Sequence, residues 1–187
     1  TDALTGMHEE MGGSHHFLDV ASRGHALEEA ARSDKPSVVL EIGCSSGFLL
    51  EQLIERFPDS CCLGADYTLG TLKALGQRLH GVPLLRFDLT RCPLPDGFAD
   101  VIVLLNVLEH IGDDERAIAE VFRIVRPGGL VVVEVPAGAR LFGPYDRVLM
   151  HHRRYDMSLL AARMTKAGFR IVRKSHLGFF LYPAFYV

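Results

Sequence analysis

Three observations predict a doubly wound α/β fold with a mostly parallel sheet and helices on both faces. Short runs of β-branched and aliphatic residues alternate along the chain with segments whose apolar residues recur at helical spacing. Those runs show little polar alternation, as expected of strands buried on both faces. A junction rich in glycine and serine, "LEIGCSSGFLL" at residues 40–50, joins the first run to the helical pattern after it. Strands alternating with helices imply right-handed crossovers and parallel pairing.

The elements follow in order. Residues 14–32 hold enough Ala, Leu and Glu for a helix, which Ser33, Asp34, Lys35 and Pro36 then break. "SVVLEI" reads as the first buried strand, and Leu50, Leu53, Ile54 and Phe57 give the helix after the glycine loop. "CCLGAD" is the second strand, followed by a helix with a stripe of Leu72, Leu75, Gly76 and Leu79. "PLLRFD" is the third strand, "LTRCPLPDG" a turn-rich stretch and "ADVIVLLN" the fourth strand. Ile118, Val121, Phe122 and Val125 mark the next helix, "RPGG" a turn and "LVVVEV" the fifth strand. Met157, Leu160, Ala161 and Met164 give a last helix, ended by Gly168, before "FRIVRK" as a sixth strand. The pattern is Rossmann-like, with ligands expected at the carboxyl ends of the strands near the point where strand order reverses.

Composition narrows the function. The 187 residues are 48% hydrophobic and 23% charged, which suits one domain over residues 1–187. Within it, residues 1–35 read as an amino-terminal helical cap, 36–136 as the ligand-binding core and 137–187 as a lid with the last strand or strands. A formal charge of −3 lacks the basic excess of a nucleic-acid binder, so no nucleic-acid partner is expected. Cys44, Cys61, Cys62 and Cys92 form neither a CxxC pair nor a disulfide framework and read as free thiols of a reducing cytoplasm. No apolar stretch approaches the ~20 residues of a membrane span. The chain starts without methionine and stops inside "LGFFLYPAFYV", as a fragment of a longer chain would.

The residues leaving the strand ends form a constellation. The first strand delivers Glu41, Gly43, Ser45 and Gly47, the second Asp66, the third Asp88 and the fourth Asn106 through His110. Gly43 and Gly47 let a backbone pass close to a ligand, and the first amides of the next helix offer donors to an anionic group; an ordinary strand-to-helix turn needs the same residues. Asp66 lies close to the ~20-residue offset at which an acidic residue meets ribose hydroxyls, though it would also cap the helix near Thr68. Asp88 either accepts from an exocyclic amine such as that of adenine or makes an Asx turn before Thr90. Jointly they imply an adenosine with a charged group beside it. The dinucleotide fingerprint would need glycine at 45 and 48, where the chain has Ser45 and Phe48, and the loop has no Lys-Ser/Thr pair of a P-loop.

"VLEIGCSSGFLLEQL", "LGADYTLGTLKAL", "LLRFDLTRCPLPDGFADVIVLLNVLEHI" and "AIAEVFRIVRPGGLVVVEVP" resemble, in order and spacing, the class I S-adenosylmethionine-dependent methyltransferases over residues 36–136. The resemblance implies a sheet of six to seven strands and S-adenosyl-L-methionine as cofactor, with S-adenosyl-L-homocysteine as its product. It assigns the methionine part to Glu41, Gly43, Cys44, Ser45, Gly47 and Asn106, with serine replacing the family's middle glycine. The ribose falls to Asp66, and the adenine to Tyr67, Asp88 and Leu89. "NVLEH" is similar to a stretch of the ubiquinone-pathway O-methyltransferases that helps form a metal site, but Asn106 replaces a charged ligand there, so no metal is expected.

Methyl transfer requires chiefly that an acceptor lone pair be brought in line with the activated methyl, and a base adds to this only where the acceptor must lose its proton. His110 is the first candidate base, followed by His152 and Tyr145. "HHRRYD" resembles a segment of bacterial family members that act on polysaccharides, glycolipids or other small molecules. It offers Arg153 and Arg154 to an anionic acceptor and Tyr145, Asp146, His152 and Tyr155 to position it, with glycan-linked and lipid-linked acceptors also open; a solvated basic surface is the plain alternative. His151 and His152 are adjacent and point apart on regular structure, so they are not read as a metal pair. The expected function is methyl transfer to a small-molecule acceptor by in-line displacement. The alternatives are a cofactor-binding module without turnover and, disfavoured by Ser45 and Phe48, an NAD-dependent oxidoreductase.

Overall fold

A computed structural model describes residues 17–177. Its elements are α1 (Phe17–Ala30), β1 (Val38–Ile42), α2 (Phe48–Arg56), β2 (Cys61–Asp66), α3 (Leu69–Arg78), β3 (Leu84–Arg86), β4 (Ala99–Leu105), α4 (Asp114–Ile124), β5 (Val125–Glu134), α5 (Pro144–Val148) and α6 (Met157–Ala167). Single 3-10 turns cover Leu89–Arg91, Leu108–His110 and Ala139–Leu141. The expectations for residues 1–16 and 178–187 lie outside the described residues.

The near-continuous apolar strands pair in parallel in the order β3-β2-β1-β4-β5. Alternate side chains feed two cores, as the period of two requires. Val39, Cys62, Val101 and Val103 face Ala26 and Ala30 of α1, Leu49, Leu50 and Leu53 of α2, and Leu72 and Leu75 of α3. Leu40, Ile42, Leu63, Ile102 and Leu104 face Ala117, Ile118, Val121 and Ile124 of α4 and Met164 of α6. Each fully buried aliphatic side chain contributes about 1.5–3 kcal/mol over an exposed one, so the sheet is the rigid base on which its loops are held.

The sheet has five strands among the described residues rather than the six to seven expected. Phe169–Lys174 carries the alternation of a strand, and Phe169 and Ile171 do lean on the core, yet it pairs with no strand among the described residues. Burial of every second residue is satisfied there by packing alone, and a strand also needs a ladder partner. The fifth strand also opens earlier than expected, at Val125, because the "RPGG" turn is absorbed as a register shift between Ala99 and Val101. A cavity of about 1180 Å³ runs along β5 between α1 and residues 168–177.

The strand order turns back between β1 and β4. A crevice therefore opens beyond their carboxyl ends, where the loops after β1, β2 and β4 meet.

Candidate cofactor and acceptor site

The loop after β1 is shaped by backbone, not side chains. Gly43 has φ +80°, and a Cβ there would meet Cγ2 of Val107 at 2.4 Å, so only glycine lets the turn after β4 close on this loop. Its amide and that of Cys44 both donate to the carbonyl of Ala65, at 2.7 and 3.1 Å. Ser45 adopts φ +39°, a glycine-like conformation, and its amide donates to Oδ2 of Asp66 at 3.0 Å. Gly47 caps the amino end of α2. Cys44 turns inward and is buried against α2, where burial pushes its thiol up out of the reactive range. Its contribution to a ligand is therefore its main chain.

Asp66 makes an Asx turn into α3 and does not cap it: Oδ1 accepts from the amide of Thr68, the N-cap residue, at 2.8 Å. With one amide on each oxygen, the carboxylate is fixed in orientation and still has lone pairs for a diol. Tyr67 is 63% exposed at the rim, with the Arg86 guanidinium 6.0 Å from its ring centre. Asp88 makes the Asx turn, accepting from the amide and hydroxyl of Thr90 at 2.8 Å each, and Leu89 beside it is buried. Asn106 sits at φ +53° directly after β4, its amide bonded to the carbonyl of Glu134 at 2.9 Å.

Buried carboxyl groups dominate the crevice. Glu41 is 5% exposed and its Oε2 has no partner among the described residues; burial, then the charge of Asp66, push its carboxyl well above the ordinary range, against the pull of Arg23. Glu109 is 0% exposed with neither oxygen partnered, and burial raises it to about 8. Glu134 ends β5 as Glu41 and Asp66 flank the ends of β1 and β2; burial raises it too, while Ser22 of α1 donates to it at 2.6 Å. Such groups cost several kcal/mol to leave without a partner. Their common complement is a cationic ligand.

The segment after β5 folds back on the turn after β4. His110 lies in that turn, and His152 is anchored by its amide, which donates to the carbonyl of Glu109 at 2.7 Å. Tyr145 stands 53% exposed on α5. Arg154 donates through Nε to Oδ1 of Asp146 at 2.7 Å, and Arg153 bonds the carbonyl of Gly112 at 2.7 Å and Asp114. Tyr155 is buried, its hydroxyl donating to Oδ2 of Asp114 at 2.6 Å. The arginines and Tyr155 thus have partners inside the protein. Glu134 and His151 join the site without the sequence marking them as its residues. The strand-end rule that finds Asp66 also reaches Glu134, whereas His151 carries no such signal.

Residues 40–133 match the family model described as a methyltransferase domain. The chain belongs to the class I S-adenosylmethionine-dependent methyltransferases. It is 31% identical over 138 residues to a probable S-adenosylmethionine-dependent methyltransferase of Mycolicibacterium smegmatis, covering 71% of this chain and 52% of that one. It is 33% identical to a trans-aconitate 2-methyltransferase of Deinococcus radiodurans, covering 66% and 47% of the two chains. The chain spans about half the length of these relatives. Among solved structures, phosphoethanolamine N-methyltransferase 2 of Haemonchus contortus, in complex with S-adenosyl-L-methionine, aligns with a TM-score of 0.72 at 18% identity over 90% of this chain and 42% of that one. No described helix is long and apolar enough to cross a membrane.

The residues present fit that cofactor. Asp66 is oriented for a ribose diol, the Gly43 turn admits close approach, and the partnerless Oε2 of Glu41 suits a positively charged methionine end.

Proposed function

We propose that the chain transfers a methyl group from S-adenosyl-L-methionine to a small-molecule acceptor bound between the turn after β4 and the segment 137–155. One observation carries this reading: Glu41, buried and partnerless at Oε2, stands beside the loop that Asp66 grips through Ser45. A cationic, ribose-bearing ligand satisfies both carboxylates at once, whereas a dinucleotide would bring two further negative charges to the same acidic crevice.

The cofactor supplies an activated methyl; the chain's own residues orient it and exclude water. Asp66 would hold the ribose, with Tyr67, Asp88 and Leu89 at the adenine. Glu41, Asn106 and the main chain of residues 43–47 would hold the methionine end. Holding both partners in line is worth roughly 7–11 kcal/mol of barrier. His110, His152 and Tyr145 border the acceptor side, and α1, through Ser22 and Arg23, borders the methionine end.

The test is release of S-adenosyl-L-homocysteine, followed by mass spectrometry, from protein given the methyl donor and a panel of carboxylate, amine, phenol and alcohol acceptors. Acceptor-dependent release that disappears in Asp66→Ala supports the proposal. Donor binding without release for any acceptor favours a binding module.

A further inference from the structure

The segment after β5 carries a buried carboxylate–imidazole pair that the reading above leaves unused. Asp146 is 0% exposed on α5. Its Oδ2 accepts from the amide of Gly143 at 2.9 Å, and its Oδ1 accepts from Nε of Arg154 at 2.7 Å and lies 3.0 Å from Nδ1 of His151. The amide of His151 also donates to the carbonyl of Asp146, at 2.8 Å. One residue thus fixes both the main chain and the ring of His151. Burial alone would raise Asp146, but Arg154, the Gly143 amide and His151 together hold it below the ordinary carboxylate range. An ionised carboxylate at Nδ1 keeps the proton there and leaves the lone pair on Nε2.

His151 packs against the turn after β4. Its ring meets that of His110 edge-on, with centres 4.7 Å apart, and a nitrogen of each ring lies within 4.8 Å of a carboxyl oxygen of Glu109. These two residues belong to the turn whose Val107 covers Gly43 of the loop after β1. The titratable and charged groups facing His151 are Asp146 and Arg154 from its own segment and Glu109 and His110 from the turn after β4.

Resting on the methyl-transfer reading, we propose that His151 takes the acceptor's proton on Nε2, with Asp146 as its positioning residue, and that the acceptor is therefore a hydroxyl compound (alcohol, phenol or enol) rather than a carboxylate. The acceptor oxygen forms its bond to the methyl carbon while its proton moves to Nε2; the carbon–sulfur bond breaks with its electron pair left on sulfur. The imidazolium then returns the proton to water. A carboxylate acceptor is already ionised and would leave the pair without a task.

The test has two arms. Nitrogen-15 histidine spectra of the protein, alone and with S-adenosyl-L-homocysteine, read the tautomer: His151 is expected as Nδ1–H, and Asp146→Asn to shift it toward Nε2–H. Transfer is then measured on catechol, 4-nitrophenol and trans-aconitate across pH. His151→Gln is expected to slow the two phenols by about 10²-fold or more, least for the more acidic 4-nitrophenol, with donor affinity unchanged. An Nε2–H tautomer in the parent protein overturns the proposal. So does turnover of trans-aconitate alone, an equal loss on trans-aconitate, or transfer abolished by EDTA and restored by a divalent cation, which would make Glu109, His110 and His151 metal ligands. If none of the three is methylated, the tautomer decides. A parent that fails to bind the methyl donor would instead remove the methyl-transfer reading, and the tautomer of the unliganded protein would still judge the pair.

Discussion

The amide of Ser45 donates to Oδ2 of Asp66 across 3.0 Å, tying the loop after β1 to the carboxylate that ends β2. Ser45 reaches it only by adopting φ +39°, which L-residues with a side chain disfavour. Replacement by glycine removes that strain. Ser45→Gly is expected to stabilise the protein by about 0.5–1 kcal/mol, offset in part by the greater freedom of glycine in the unfolded chain. A thermal melt should show a rise of about 1–4 °C.

Gly43 is the opposite case. With φ +80° and Val107 in the path of any Cβ, Gly43→Ala must displace the turn that carries Glu109 and His110. A cost of about 1–3 kcal/mol is expected, seen as a lower urea midpoint. Donor affinity should fall with it, because loop and turn move together.

Glu109 makes stability depend on pH. Burial raises its folded-state value to about 8, far above the unfolded value. The folded protein therefore binds more protons between those two values, and its stability falls as pH rises through that window. Glu109→Gln, which cannot ionise, should flatten the decline. The variant is expected to match the parent near the unfolded carboxyl value and to exceed it at and above pH ~8, as urea titrations at several pH values would show.

Tyr155 locks the segment after β5 to the core through its hydroxyl, which donates to Asp114 and lies 3.2 Å from the carbonyl of Leu108. Tyr155→Phe keeps the ring and strands the acceptors. A loss of about 1–2 kcal/mol is expected in equilibrium unfolding. Hydrogen exchange should quicken in residues 137–155 before it does in β1 or β4.

The legibility of this chain follows its geometry. Strands buried on both faces announce themselves as apolar runs, so β1, β2 and β4 are readable with their helices, and with them Gly43, Asp66 and Asn106 at their ends. Phe169–Lys174 is less legible, because alternation reports burial and says nothing about a ladder partner. The "HHRRYD" segment was legible as chemistry but not as placement. Its arginines and tyrosine look like ligands for an acceptor until Asp114 and Asp146 are seen to engage them, and neither aspartate lies on a strand. The role proposed for His151 rests on a carboxylate five residues earlier that only the fold of α5 turns toward it.

The proposed function depends above all on the carboxylate-lined crevice as a seat for a cationic, ribose-bearing cofactor. Calorimetric titration of the protein and of Asp66→Ala with S-adenosyl-L-methionine and with NAD tests it most directly. One-to-one binding of S-adenosyl-L-methionine, lost in the variant, and no binding of NAD are expected. Binding of NAD by the parent, or undiminished binding of S-adenosyl-L-methionine by Asp66→Ala, would contradict it.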